Sequence, residues 1–357
     1  MPLNYDNPEK YIGQFEETYL GYASENLIRN GAGSGGVTSA ISIYLLEKGY
    51  VDGVLVSKSE VRNERITADC FIATTRQEIL DSRQSIYMDF NYTKNLRAIL
   101  DFKGQIAMVG LPCHFEILSG LESKHPELKD KIKFKLSLFC SGVPKTSMVH
   151  EVINNKKVNS SDIKKFYFRQ GHWRGQSKIV KNDGTEIEFS YLKNFGMYKN
   201  MYFDMLPRCS VCKNHFGYDA DFSIGDAWLK EMKVNPIKHN LFIAKNNKAN
   251  RIVQNMINDG FLKASLFDYK KVLYSQRRPI TYKFYAAKAR KVVANLFGIN
   301  LKVDTPDKSA FHHYIVSIFI SLNVKLSENK KMRRIIYKVP KKIMYSYHAF
   351  IRLLLSR

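Results

Sequence analysis

Tryptophan and cysteine are scarce in this chain, with two and five residues in 357. Five thiols cannot staple a protein of this length, which excludes a disulfide scaffold. No run approaches the roughly 18 uninterrupted apolar residues of a membrane-spanning helix. The opening MPLNYDNPEKYIGQ has no apolar core, so it does not read as a secretory signal. Internal repeats and low-complexity tracts are missing as well. Together these absences point to a reducing, cytoplasmic setting that suits thiolate ligands.

Acidic residues are short in one region only. From Lys270 to Arg357 there are 20 Lys and Arg against 3 Asp and Glu, so this tail holds +17 of the net +23. That leaves 36 against 30 in the first 269 residues, an ordinary body at +6. A nucleic-acid binder would carry its charge on the folded domain, so no nucleic-acid partner is expected.

What is present is a sizeable apolar fraction, 45%, in a chain long enough for two domains. Residues 1–28 read as a short irregular lead with an aromatic-rich stretch. Strand patterns at 51–57, 105–110 and 131–140 alternate with helical ones, and 67–75 reads as a further strand. The fold class is therefore α/β, a parallel or mixed sheet core with helices. KKFYFRQ, QSKIVKN and TEIEFSY then alternate with period two and turn at Asn182-Asp183-Gly184, an antiparallel insertion at about 162–190. The main domain runs over 29–267, and 268–357 is a basic, largely helical extension.

Two stretches carry candidate chemistry. The loop Gly31-Ala32-Gly33-Ser34-Gly35-Gly36 opens a helix over Val37 to Lys48. Backbone N–H groups at such a helix start suit a phosphate; a plain glycine-rich helix start is the other reading. No Walker Gly-Lys-Ser/Thr follows, and no clear strand precedes the loop as a dinucleotide fingerprint would require. The second stretch is RCSVCKNHFGYDADFSIGDAW, 208–228. It holds Cys209-x-x-Cys212, and two earlier cysteines, Cys113 and Cys140, end apolar runs at the carboxyl edge of the expected sheet. Four such thiols are the ligands of a 4Fe–4S cluster, the ligands of a zinc ion, or buried core thiols. Cys70 lies inside an expected strand and reads as a core residue.

Other residues have two readings each. His114 ligates, donates a proton or caps a helix. Arg169 and Trp173 contact a cofactor, or are a strand residue and an apolar anchor. Asp226, at a strand end, is a buried carboxylate with a partner or a surface loop residue.

The segments GSGGVTSA, SIY at 85–87, VGLPCHFEIL, LFCSGVP and the cysteine-rich stretch, in this order and spacing, resemble the family of coenzyme F420 hydrogenase/dehydrogenase beta subunits. The resemblance covers about residues 25 to 245. It implies an oxidoreductase with FAD and a 4Fe–4S cluster, passing electrons between the cluster and a hydride-carrying substrate. It implies Cys113, Cys140, Cys209 and Cys212 as cluster ligands and Ser34, Gly35, Gly36 and Thr38 as the loop at the FAD phosphates. Gly225 and Asp226 correspond to the segment that closes the site; no catalytic residue is assigned.

The chain departs from the family in two places. It has no ferredoxin-like C-x-x-C-x-x-C run, so it is expected to hold one cluster and to need an external electron carrier, a ferredoxin or a partner subunit. The usual Gly-Ser-Lys-Tyr element reads Gln84-Ser85-Ile86-Tyr87, which leaves open whether the substrate is the deazaflavin or another hydride carrier. Bacterial members of this size sit among polysaccharide-synthesis functions. The rival reading is a zinc-bearing or apo interaction protein, peripheral to the membrane and without redox activity.

The tail has its own pattern. The stretch from Phe311 is apolar for about a dozen residues, too short to span a bilayer. Lys330, Lys331, Arg333, Arg334, Lys338, Lys341 and Lys342 then mix with Ile335, Ile336, Tyr337, Ile343, Met344 and Tyr345, with a break at Pro340. This suits paired helices on an anionic membrane surface at the inner face. A tail packed on the body, or one that meets an acidic partner, is the alternative.

Overall fold

Apolar runs set the strands. The computed structural model describes residues 3–171, 174–303 and 305–356. Its strands are β1 (Glu17–Ala23), β2 (Gly53–Arg62), β3 (Arg65–Ala73), β4 (Ile106–Gly110), β5 (Ile132–Leu138), β6 (Ile163–Gln170), β7 (Gln176–Lys181), β8 (Glu186–Ser190), β9 (Phe222–Asp226), β10 (Asn240–Ala244) and β11 (Leu262–Leu266). The large sheet has the order β11-β1-β10-β9-β5-β4-β2-β3. Its centre, β2, β4, β5 and β9, is parallel. Antiparallel strands flank it on both sides.

Helices cover both faces, as a central parallel sheet requires. Val54, Val56 and Ala107 pack with the helices Val37–Glu47 and Asn247–Asn258. Leu55, Ile106 and Met108 point the other way, to Phe115 and Leu118 of the helix Pro112–Glu122. This alternation is the two-residue period of a strand read against two cores.

The expected irregular lead is corrected. Residues 17–23 form β1, inside the sheet, with Tyr19 opposite Phe242 on one side and Leu266 on the other. Its partners lie more than 200 residues away, so nothing local marks it as a strand. The glycine loop therefore follows a strand after all, through the short helix Asn26–Asn30. Residues 262–266 likewise form a strand, β11. The residues at 67–75 form β3, which pairs antiparallel with β2 and extends the sheet past its parallel centre.

The insertion is the separate antiparallel sheet β6-β7-β8. Its turn falls where Asn-Asp-Gly stands, with Gly184 at φ +85. The extension packs on this sheet. Helices Phe311–Glu328, Lys330–Lys338 and Lys341–Leu354 contribute Val316, Ile320, Ile336, Tyr337, Met344 and Ile351 to the core that holds Phe166, Phe168 and Phe195. Asn323 donates to the Met201 carbonyl at 2.8 Å, and the Tyr337 hydroxyl donates to Asp204 at 2.9 Å. The break at Pro340 is where the sequence puts it. Much of the apolar side of the pair is turned onto the body, while Ile335 and Ile343 stay exposed. Among the described residues, no helix is long and apolar enough to cross a membrane.

Candidate functional site

The carboxyl ends of β4, β5 and β9 open onto a cavity of about 580 Å³. Crevices at that edge are where open α/β sheets bind ligands, and this volume is that of a cofactor site. One wall is the glycine loop: Gly33, Ser34, Gly36 and Thr38 all line it. Gly36 caps the following helix at φ +79, a conformation that disfavours a side chain. The loop is held from β10: Ser34 donates to the His239 carbonyl at 2.9 Å, and Asn240 Oδ1 accepts from the Val37 N–H at 3.3 Å. Lys238 Nζ donates to the carbonyls of Ala32 and Gly33, each at 3.1 Å. Burial pushes this lysine down to about 8.

Gly35 does not share this wall. A Cβ there would stand 2.9 Å from the backbone nitrogen of Asn240, so the position is small because β10 passes against it. Gly225 is similar. A Cβ would overlap the ring of Phe139, and the backbone of β9 is bare to let that ring lie on it.

Asp226 sits at the end of β9, in the cavity wall. Arg169 of β6 donates to both its oxygens, at 2.8 and 2.6 Å, from a side chain 4% exposed. This fork geometry is the strong form of a carboxylate contact. Burial alone would raise the Asp226 carboxyl, but Arg169 more than offsets it and holds it below its ordinary value. The guanidinium also stands over the rings of Trp228, Tyr191 and Tyr87, 5.5 to 6.0 Å from their centres. Arg169 is thus tied to a carboxylate of its own chain, and Asp226 is a half-buried, partnered acid. Trp173 lies outside the described residues.

Cys113 and Cys209 each feel the charge of Cys140 and Cys212 beside this cavity. Cys140, two residues after β5, lines it. Burial pushes the Cys113 thiol up to about 12, against the field of Arg208, and charge on Cys140, Cys212 and Cys209 adds to the rise. Cys209 is pushed up to about 11 by burial and then by Cys140. No three His, Cys, Asp or Glu among the described residues gather closely enough to hold a single metal ion. Cys70 stands apart in β3, 6% exposed, with the Ser57 hydroxyl 3.3 Å away. Its thiol is raised to about 11, chiefly by burial.

Several residues at the site carried no sequence signal. Lys283 belongs to a single π turn, Thr281–Tyr285, and is 1% exposed. Its ammonium donates to Cys212 Sγ at 3.1 Å and to the Asn214 carbonyl at 3.0 Å. Burial would lower it, but the thiols around it raise it above its ordinary value. A lone lysine in the aromatic run TYKFY was the available hint, because a buried ammonium needs partners. Lys199 lines the cavity, donates to Ser141 at 2.6 Å, and is lowered by burial against the fields of Cys140 and Cys209. It also stands 5.8 Å from the ring of Tyr87, the residue after Ile86. His215 is fully buried between the Cys140 carbonyl and Gln276 and is pushed down to about 3 by burial, so it is a neutral imidazole. His114 caps its helix, its Nδ1 accepting from the Leu111 N–H at 3.2 Å, and its ring stacks on Tyr92.

A mixed sheet whose strand ends frame a cavity of ligand size beside a set of thiols defines an α/β protein with its candidate site at the carboxyl edge of the sheet. More narrowly, the chain belongs to the family of coenzyme F420 hydrogenase/dehydrogenase beta subunits. The N-terminal part of that family matches residues 18–99 and the C-terminal part residues 103–270. The coenzyme F420 hydrogenase subunit beta of Methanosarcina barkeri is 22% identical over 62% of this chain and 75% of its own length. An F(420)H(2) dehydrogenase subunit of Methanosarcina mazei is 26% identical over 56% of this chain and 54% of its own. The coenzyme F420-dependent sulfite reductase of Methanocaldococcus jannaschii is 25% identical over 54% of this chain but only 30% of its own length. The chain thus spans between 30% and 75% of the length of these curated relatives. A chain of the F420-reducing [NiFe] hydrogenase complex from Methanosarcina barkeri shares the fold, with a TM-score of 0.61 over 86% of this chain and 99% of that one, at 18% identity.

Proposed function

We propose that this protein is an iron–sulfur flavoprotein oxidoreductase, with FAD in the cavity and one 4Fe–4S cluster on Cys113, Cys140, Cys209 and Cys212. The observation that carries this reading is adjacency: the cavity that begins at the glycine loop reaches Cys140, whose charge is felt by Cys113 and Cys209. The donor set fits a cluster. The Cys113 and Cys209 thiols, pushed up by burial and by their neighbours, ionise only when a cationic group compensates them, and a cluster accepts ligands from several loops at wider spacing than one ion does. The cavity fits a flavin by size and by the helix start at Gly36–Thr38. When bound, the flavin supplies the exchange between single-electron and hydride chemistry that side chains lack.

The chain's own residues bind, orient and shield. Gly33, Ser34, Gly36 and Thr38 receive a diphosphate, with Lys238 fixing the loop from behind. The Arg169–Asp226 pair braces the strand end and, being locked, moves no proton. Lys199 holds a proton at Nζ inside the cavity, and burial makes that proton easier to release. The neutral imidazole of His215 fills space between the thiols and the cavity and keeps water out. By analogy with the relatives, which are hydrogenase and dehydrogenase subunits, the electron partner is another chain of a complex or a ferredoxin-type carrier. The hydride substrate is the deazaflavin or another hydride carrier; Ile86 stands where relatives place lysine, and Lys199 brings an ammonium to the neighbouring Tyr87.

Anaerobic purification with iron, sulfide and flavin analysis tests the reading. Roughly four iron and one flavin per chain are expected, with iron lost in Cys209→Ser and kept in Cys70→Ser. A colourless protein with one zinc per chain would refute it.

A further inference from the structure

One end of the cavity gathers positive charge. Arg277 and Arg278 line it from the helix Arg277–Ile280, Arg352 from the helix Lys341–Leu354, and Arg174 from the loop after β6. All four are half-buried. Arg278 Nε donates to the Ser356 hydroxyl at 2.7 Å. Arg277 donates to the Tyr274 carbonyl at 3.0 Å and lies 4.2 Å over its ring. Among the described residues, Arg277, Arg278 and Arg352 have no acidic partner.

The like charges act on one another. Burial, then the fields of Arg352, Arg277 and Arg174, push Arg278 down to about 10. Arg352 is lowered by burial and then by Arg174. Behind them His348 is pushed down to about 3 by burial and by Arg352 and Arg278, so it adds no charge near neutrality. A fold that gathers guanidiniums in a cavity wall without a counter-charge is destabilised by their repulsion until an anion closes the group. Planar forks of this kind match phosphate oxygens two at a time. Arg277, Arg278 and Arg352 also lie beyond residue 270, where the family match ends.

We propose that Arg277, Arg278 and Arg352, with Arg174 beside them, form a receptor for a phosphate or diphosphate group on the redox substrate. Several forks facing one space call for an anion of more than one charge, which a diphosphate ester supplies. The glycine loop provides a separate phosphate site on another wall, and residues outside the family match serve what is particular to this chain. That the anion belongs to a redox substrate rests on the oxidoreductase reading; that an anion binds here does not.

The test is calorimetric titration of pyrophosphate into flavin-loaded full-length protein, wild type against Arg278→Gln, Arg352→Gln and the double variant, with flavin content measured in parallel. Each substitution is expected to weaken pyrophosphate roughly tenfold, the loss of one charge-assisted contact, and the double variant more, with flavin content unchanged. Unchanged affinity in the double variant overturns the proposal. Flavin lost in step with pyrophosphate binding overturns it too, since the arginines then hold the cofactor's own diphosphate. A flavin-free wild type that loses pyrophosphate with the arginines supports the anion site while refuting the redox reading. Should Arg278→Gln fail to fold, Arg277→Gln, whose side chain rests on exposed Tyr274, is read in its place with the same tenfold expectation.

Discussion

Arg169 and the Arg277–Arg278–Arg352 group line the same cavity with the same side chain under opposite conditions. Arg169 is buried, forked onto Asp226 and boxed by aromatic rings. The other three are half-buried, lie within one another's electrostatic reach and meet no acid among the described residues. A charge that is fully satisfied within the fold belongs to the architecture. A charge held in a cavity without its opposite is available to a ligand.

The sharpest way to break this comparison is to remove the acid. Asp226→Asn leaves Arg169 buried without its counter-charge, a loss of about 3–5 kcal/mol, read by urea unfolding. Arg278→Gln is expected to stay within about 0.5 kcal/mol of wild type. The pH dependence separates them further. The Asp226 carboxyl is held below its ordinary value, so its contribution is fully present above the unfolded carboxylate value of about 3.9. It is lost as pH falls through the lower folded value, and wild type and Asp226→Asn then converge in stability. Equal unfolding midpoints for the two at neutral pH would show that Arg169 finds other partners.

A second test compares the glycine loop with its own helix. Thr38→Asp places a carboxylate in the first helical turn, which favours the helix by about 0.3–1 kcal/mol but repels a diphosphate. Flavin retention should fall more than an order of magnitude, the effect of losing one charge-assisted contact and gaining a repulsion, while the melting temperature holds or rises. Full flavin content in Thr38→Asp would take the diphosphate away from this loop. Glycine-to-valine changes are poorer probes, because Gly35 is packed on the backbone of β10 and Gly36 needs its positive φ.

The smallest effect concerns a third cation, Lys283. It donates to Cys212 Sγ, so it stabilises electron density at the thiols. In Lys283→Met the midpoint potential of the proposed iron–sulfur centre should fall by roughly 60 mV, the one-electron equivalent of a contact worth about 1.5 kcal/mol. Redox titration followed by electron paramagnetic resonance measures it; an unchanged potential would separate Lys283 from the cluster.

What could be read in advance follows the range of the interactions. The parallel strands, the Asn-Asp-Gly turn and the Pro340 break are local and were legible. The short Cys209–Cys212 pair and the glycine loop were legible as motifs. β1 was not, because its strand character comes from β10 and β11. The partner of Asp226 was not, because Arg169 arrives from the insertion, 57 residues earlier. Nor was the placement of Lys283 or Arg352, since the tail looks like a solvated basic segment until it docks. The role of Gly35 was misplaced for the same reason: its neighbour is Asn240, more than 200 residues further along the chain.

The position of β1 between β10 and β11 has a consequence for the order of assembly. Glu17 pairs with Ala244, so this strand waits in the nascent chain until more than 220 further residues have been made. Contacts of such sequence separation are slow to form and leave an unpaired edge exposed meanwhile. The glycine loop inherits that delay: the Ala23 N–H donates to the Gly35 carbonyl, and Asn240 holds the first helical N–H. The loop therefore acquires its shape only after the late strands have docked. Any ligand held at the loop therefore binds after the sheet is made, and chains caught before that are the species most exposed to aggregation.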